Sequence, residues 1–195
     1  MKHPAVIGFY GESNTGKTTL IVNIIKQLTS ENFQVATVKI TDKHIDIDTK
    51  GKDTWRHSQA GSQLVVLPSP METDFLLKKN ITMDEILQHV NELGEIDIVL
   101  VEGAHEESIP KVRLGNLPER KNTILTYKDD FKGLINTIKN EIHMKTTAAE
   151  EISIKVNGKH IPLTEFPSKF IKNTIVGMLK SLKGVDEVQN VEIRF

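Results

Sequence analysis

Gly11, Gly16, Lys17 and Thr18 stand in the spacing G-x-x-x-x-G-K-T, between the apolar run Ala5-Val6-Ile7-Gly8-Phe9-Tyr10 and Leu20-Ile21-Val22. Glycines so spaced let a loop wrap with its main-chain N–H groups pointing inward. A helix opening at the end of that loop adds its own free N–H groups for the same anion. The Lys17 ammonium is then expected to reach β- and γ-phosphate oxygens, and the Thr18 hydroxyl to bind Mg2+. Gly11, Glu12, Ser13, Asn14, Thr15, Gly16, Lys17, Thr18 and Thr19 form the candidate nucleotide-binding stretch, and a nucleoside triphosphate is the expected ligand.

Such a site needs an acid at the end of a hydrophobic strand. Asp97-Ile98-Val99-Leu100-Val101-Glu102-Gly103 supplies one, with Glu102 where the strand leaves the sheet and Gly103 allowing the chain to turn. Glu102 is expected in the Mg2+ shell, through water. Asp97 opens the strand, at the far edge of the sheet, and is set aside.

A third group is Asp48-Thr49-Lys50-Gly51-Lys52-Asp53-Thr54-Trp55-Arg56-His57, which mixes acids, cations and the single Trp. Asp53 could touch the metal shell or orient water, and Arg56 could meet phosphate or cross a dimer interface. The alternative is a solvated charged loop with Asp53 capping a helix. Tyr127-Lys128-Asp129-Asp130 partly matches the guanine-reading pattern Asn-Lys-x-Asp, which makes Asp130 a candidate base contact or a helix-start acid. His44, His57 and His105 lie near these stretches without metal-ligand spacing.

The elements that must hold these residues alternate. Strands are read at 5–10, 34–40, 63–67, 96–101 and 123–127, and helices at 18–29, 53–60, from Thr82 to Gly94, and at 129–142. Thr82 with Glu85 makes a capping box. Alternation of this kind predicts an α/β three-layer fold with a mostly parallel sheet. From 151 the pattern changes: Ile152–Val156 alternates, Asn157-Gly158 signals a hairpin, a helix follows from Thr164, and 188–195 alternates again. The expected division is a nucleotide-binding domain at 1–143, a linker at 144–150 and a small ββαβ unit at 151–195.

The 195 residues suffice for one ordinary domain with a small appendage. With 25 Lys and Arg against 26 Asp and Glu, interspersed, the electrostatic footprint of a nucleic-acid binder is missing. The absence of cysteine excludes disulfides, thiolate catalysis and cysteine-held metals. No apolar stretch approaches the roughly 20 residues that span a bilayer, and no signal peptide precedes the first strand, so a cytoplasmic protein without a membrane or nucleic-acid partner is expected.

GESNTGKTTL, the Asp48-x-x-Gly51-Lys52-Asp53-Thr54-Trp55-Arg56…Ala60-Gly61 block, Val99-Leu100-Val101-Glu102-Gly103 and Ile109-Pro110-Lys111-Val112 occur in an order that resembles the molybdopterin-guanine dinucleotide biosynthesis protein B family (MobB). The resemblance covers about residues 4 to 143; residues 151–195 look like an extension of some archaeal members. It implies a P-loop NTPase fold, GTP and Mg2+ as ligands, weak hydrolysis and a homodimer. It also implies assistance to the MobA-like guanylyltransferase that joins GMP to molybdopterin-type cofactor. Carried over by position, Gly11 to Thr19 hold phosphates, with Lys17, Asp53 and Glu102 as catalytic candidates. Thr18, Glu102 and Asp53 lie at the metal, and Lys52, Arg56 and Lys111 are candidates for phosphate or partner contacts. Ala104 stands where the family leads one to expect an aromatic residue. Two alternatives remain: a small-molecule kinase on the same fold, against which stand only four arginines (56, 113, 120 and 194) and no evident lid, and a nucleotide-dependent adaptor without turnover.

Overall fold

The computed structural model describes residues 4–43, 45–149, 154–156, 159–161, 165–183 and 191. Strand β1 (Ala5–Tyr10) is followed by α1 (Lys17–Ser30), β2 (Val35–Lys39) and α2 (Asp53–Gln59). Next come β3 (Leu64–Pro68), β4 (Thr73–Leu77), α3 (Met83–Leu93) and β5 (Ile98–Glu102). Then β6 (Lys111–Arg113), β7 (Thr123–Thr126) and α4 (Phe131–Ala149) complete the larger part of the chain. After it stand β8 (Ile154–Val156), β9 (Lys159–Ile161) and α5 (Glu165–Lys180).

Five strands form one sheet in the order β2-β5-β1-β6-β7, with every pairing parallel. A parallel sheet is covered on both faces, which is why β1 and β5 are apolar along nearly their whole length. On one face Ile7 and Phe9 pack with Leu20, Ile24 and Leu28 of α1 and Leu134 and Ile138 of α4. On the other, Val99, Val101 and Ala104 meet Met83, Leu87 and Val90 of α3. The result is the expected three-layer arrangement. Each fully buried Ile or Leu in the first cluster contributes ~1.5–3 kcal/mol.

The chain leaves β1 in one direction, through α1 to β2, and leaves β5 in the other, crossing β1 to reach β6. Ligand crevices form at the carboxyl ends of strands where connections diverge in this way. The loop after β1 and the end of β5 both lie there.

Several local expectations are met. Thr82 accepts from the Glu85 N–H at 3.2 Å, and the Thr82 N–H donates to Glu85 Oε2 at 2.8 Å, closing the capping box of α3. Others are corrected. The apolar run ending at Pro68 does not join the main sheet; β3 pairs antiparallel with β4, a strand the sequence reading lacks because Asp74 interrupts its apolar residues. Strand β6 was also missed, since Lys111 and Arg113 flank its one apolar residue. Lys52, not Asp53, is the N-cap of α2. Gly94 is the C-cap of α3, with an extended backbone. Helix α4 continues through Ala149, across most of the stretch read as a linker. The hairpin residues Asn157 and Gly158 and the strand expected at 188–195, apart from Val191, lie outside the described residues. Among the described residues no helix is long and apolar enough to cross a membrane.

Candidate functional site

The loop after β1 is shaped by two glycines for different reasons. Gly11 passes so close to the residue after β6 that a Cβ on it would stand 2.4 Å from the Leu114 carbonyl oxygen. Gly16 has open space around it but a φ of 81°, the left-handed region that side chains disfavour. Asn14 shares that region at φ 64°, where asparagine is tolerated better than most residues. Gly16 is the N-cap of α1 and offers no capping side chain. Consequently, none of the main-chain N–H groups from Ser13 to Thr19 donates to another described residue. A run of free amides at the positive end of a helix is an anion site in waiting.

Side chains of the loop brace it from within. Lys17 Nζ donates to the carbonyl oxygens of Gly11 at 2.9 Å and Glu12 at 2.5 Å, and Thr15 Oγ1 donates to the Glu12 oxygen at 2.9 Å. The Glu12 carboxylate turns away, accepting from the Asn116 N–H at 3.4 Å. Behind the loop, Tyr10 is fully buried; its hydroxyl meets Thr123 Oγ1 at 2.8 Å and accepts from the Arg120 N–H at 3.0 Å. The Arg120 guanidinium lies 4.7 Å from the centre of the Tyr10 ring and donates to the Ala104 carbonyl. The connection from β6 to β7 is thereby fastened to the base of the loop.

The acid is placed by strand register. β5 lies directly beside β1, pairing Glu102 with Phe9, and β2 lies on its other side, pairing Lys39 with Glu102. Gly103 turns the chain at φ 86°, its N–H donating to the Phe9 carbonyl while the Ile40 N–H donates to that of Glu102. With its backbone stitched to both neighbours, Glu102 accepts from Thr18 Oγ1 at 2.9 Å. Lys39 Nζ stands 3.5 Å from the same oxygen. Lys39 was not foreseen; its signal was a charged residue ending a strand that runs level with Val-Leu-Val-Glu.

A hydroxyl and a carboxylate are hard oxygen donors that suit Mg2+. Among the described residues no group of three or more His, Asp or Glu could by itself cage a metal. Two protein oxygens are nevertheless the usual protein share for Mg2+, which takes its remaining ligands from phosphate and water. Thr18 and Glu102 therefore fit the ion expected there.

The other candidates are not gathered at this point. Asp53 pairs with Arg56 at 3.6 Å, and both side chains are largely in solvent. No contact recorded among the described residues joins either of them, or the exposed Lys52, to Thr18 or Glu102. Asp48 organises that segment instead, its Oδ1 accepting from the Thr49 N–H at 2.8 Å and Thr54 Oγ1 at 2.9 Å. Lys111 is wholly buried, with Nζ donating to the carbonyls of Ile109 and Lys121. Burial lowers its pKa, while Glu106 draws it back up. An ammonium so enclosed is a structural tie and not a surface phosphate contact. Asp130 precedes α4 and accepts from the Gly133 N–H at 2.9 Å, as a helix cap does. His57 borders a shallow depression of about 430 Å³ beside β3, lined by residues within 57–66 and by none of the loop; His44 lies outside the described residues.

The family model for molybdopterin guanine dinucleotide synthesis protein B, MobB, matches residues 6–143. A Methanocaldococcus jannaschii protein, provisionally named a molybdopterin-guanine dinucleotide biosynthesis adapter protein, is 28% identical over 96% of both chains. The Haemophilus influenzae molybdopterin-guanine dinucleotide biosynthesis adapter protein is 33% identical over 56% of this chain and 62% of its own. The crystal structure of Bacillus subtilis MobB superposes with a TM-score of 0.57 at 17% identity, covering 70% of this chain and 97% of that one. A MobB homologue from Bacillus stearothermophilus gives 0.53 at 21% identity over 72% and 99%. These likenesses agree with a P-loop NTPase fold. The two bacterial structures leave more than a quarter of this chain unmatched, whereas the alignment with the Methanocaldococcus protein spans nearly all of it.

Proposed function

Because the chain belongs to the MobB family, we propose that it is a Mg2+-dependent GTP-binding protein with slow hydrolysis that serves molybdenum-cofactor maturation, assisting conversion of the molybdopterin cofactor to its guanine dinucleotide form. The observation that carries the nucleotide reading is the hydrogen bond from Thr18 to Glu102 at the open end of an amide-lined loop. That bond uses the only hydrogen of the Thr18 hydroxyl and leaves its lone pairs for a cation. The names of the relatives support the guanine dinucleotide context.

In this reading the free amides from Ser13 to Thr19 bind the phosphate chain, and Lys17 adds a fixed positive charge. Mg2+ supplies charge neutralisation at the phosphate oxygens, held by Thr18 directly and by Glu102 through water. The protein's share of catalysis is positioning and electrostatics. None of the contacts described at Thr18 and Glu102 brings a general base to the site, which accords with slow turnover. The relatives are named adapter proteins, and this favours a second reading in which nucleotide occupancy governs partner binding without useful turnover. A MobA-like guanylyltransferase is the proposed partner.

The homodimer finds support in the β3–β4 hairpin. Leu64 pairs with Leu77 and Val66 with Phe75, so these four share one face, and all are 40–55% exposed. An apolar hairpin face of this kind suits burial against a second copy.

Calorimetric titration with GTP and with ATP, each with Mg2+, tests the proposal. GTP is expected to bind more tightly, and single-turnover hydrolysis then separates the two readings. Failure of both nucleotides to bind would overturn it.

A further inference from the structure

Lys39 contacts the site yet has no assigned part in it. It ends β2, an edge strand of the sheet, and register with β5 places it level with Glu102. Its ammonium stands 3.5 Å from Glu102 Oε1, the oxygen that also accepts from Thr18. One carboxylate oxygen thus separates this cation from the hydroxyl expected to bind metal.

The described arginines and Lys111 have other partners. Arg113 Nε donates to Thr126 Oγ1 and its Nη1 to the Leu117 carbonyl. Arg120 is held by the Ala104 carbonyl and the Tyr10 ring. Arg56 pairs with Asp53, and Lys111 is buried. Among the described residues, Lys17 and Lys39 are the two cations bonded to the loop or to Glu102. Lys17 is pinned by two carbonyls of the loop. Lys39 is 60% exposed on a flexible four-carbon stem, and its partner among the described residues is a carboxylate that a hydrated divalent ion would also need.

Two cations cannot share Glu102 without mutual repulsion, and the mobile one is the ammonium. A terminal phosphate at the open end of the loop is the anion to which it would turn. Resting on the nucleotide reading above, we infer that Lys39 is a specificity-determining residue that pairs with Glu102 in the metal-free site and with the terminal phosphate of a Mg2+-bound nucleoside triphosphate. It distinguishes triphosphate from diphosphate. No bond is made or broken in this exchange of partners.

The test compares the affinities of GDP and a non-hydrolysable GTP analogue for wild type, Lys39→Met and Lys39→Arg, with Mg2+ and with chelator. With Mg2+, Lys39→Met should lose about tenfold in affinity for the triphosphate, as befits one charge-assisted contact, and less than threefold for GDP. Lys39→Arg should restore most of the difference. With chelator, the ratio of the two affinities should be the same in Lys39→Met as in wild type. An unchanged ratio with Mg2+ in Lys39→Met, or equal losses for both nucleotides, would overturn the inference while leaving the nucleotide site intact. Wild-type protein that binds neither nucleotide would overturn the site and the inference together. Circular dichroism confirms that each variant is folded.

Discussion

The Thr18 hydroxyl donates to Glu102 Oε1 at 2.9 Å, joining the first turn of α1 to the last residue of β5 across 84 positions of sequence. It is a bond between two elements that pack from different directions, so it reports their assembly as well as the site. Thr18→Ala and Glu102→Gln should each weaken Mg2+ binding to the nucleotide complex about tenfold. Acting on one bond, they should combine to less than the product of the single effects. Mg2+ titration of the nucleotide-loaded proteins measures this, and strict multiplicativity would show the two residues to act separately.

The two loop glycines should fail differently when replaced. In Gly11→Ala the new methyl meets the Leu114 carbonyl just after β6, so either the loop or the strand must shift, at a cost of about 1–3 kcal/mol in stability. Gly16→Ala has room, and its cost is the left-handed backbone, about 1–2 kcal/mol. Urea unfolding gives both figures. Nucleotide titration should show Gly16→Ala weakened, because relaxing φ at Gly16 re-aims the amides that follow it. A Gly11→Ala protein as stable as wild type would refute the close approach.

What could be read in advance tracks where the information is local. The β1–loop–α1 unit carries its apolar runs, glycines and Lys-Thr within 26 residues, from Ala5 to Ser30, and its bounds came out within one residue. Glu102 was legible because a buried strand ends on an acid. The pairing of Glu102 with Lys39 was not, since it depends on β2 and β5 being neighbours, a fact of sheet order. β6 is three residues with a buried lysine, and its strand character comes from pairing with β1 and β7, not from its own pattern. The Asp48–Arg56 block looked chemical because it concentrates charge, yet its described contacts are local ones that shape a loop and start a helix.

Lys111 is a charge enclosed by main-chain oxygens, and its contribution should depend on pH. Burial holds the folded-state pKa below the ordinary lysine value of 10.5, so the unfolded chain keeps its proton to higher pH. Between the two values the unfolded state binds more protons, and stability from this residue therefore rises as pH increases through that window. Lys111→Met should be less stable by about 1–3 kcal/mol at neutral pH, because two buried carbonyls lose their donor. The deficit should widen as the pH rises toward 10.5. Urea melts of both proteins across that range decide it; a gap that narrows would reverse the sign assigned to this lysine.

The exposed face of the β3–β4 hairpin offers the sharpest test of assembly. Val66 and Phe75 are directly opposite in register and 44% and 55% exposed, so a charge there costs the single chain little. In a symmetric dimer closed by this face, the same charge enters the interface twice and faces apolar groups or its own copy. Sedimentation should find the wild type dimeric, and Val66→Asp and Phe75→Asp monomeric at concentrations where the wild type is paired. Their unfolding midpoints should be independent of protein concentration, whereas that of the wild type rises with it. Aspartate variants that sediment as dimers would move the interface to another surface.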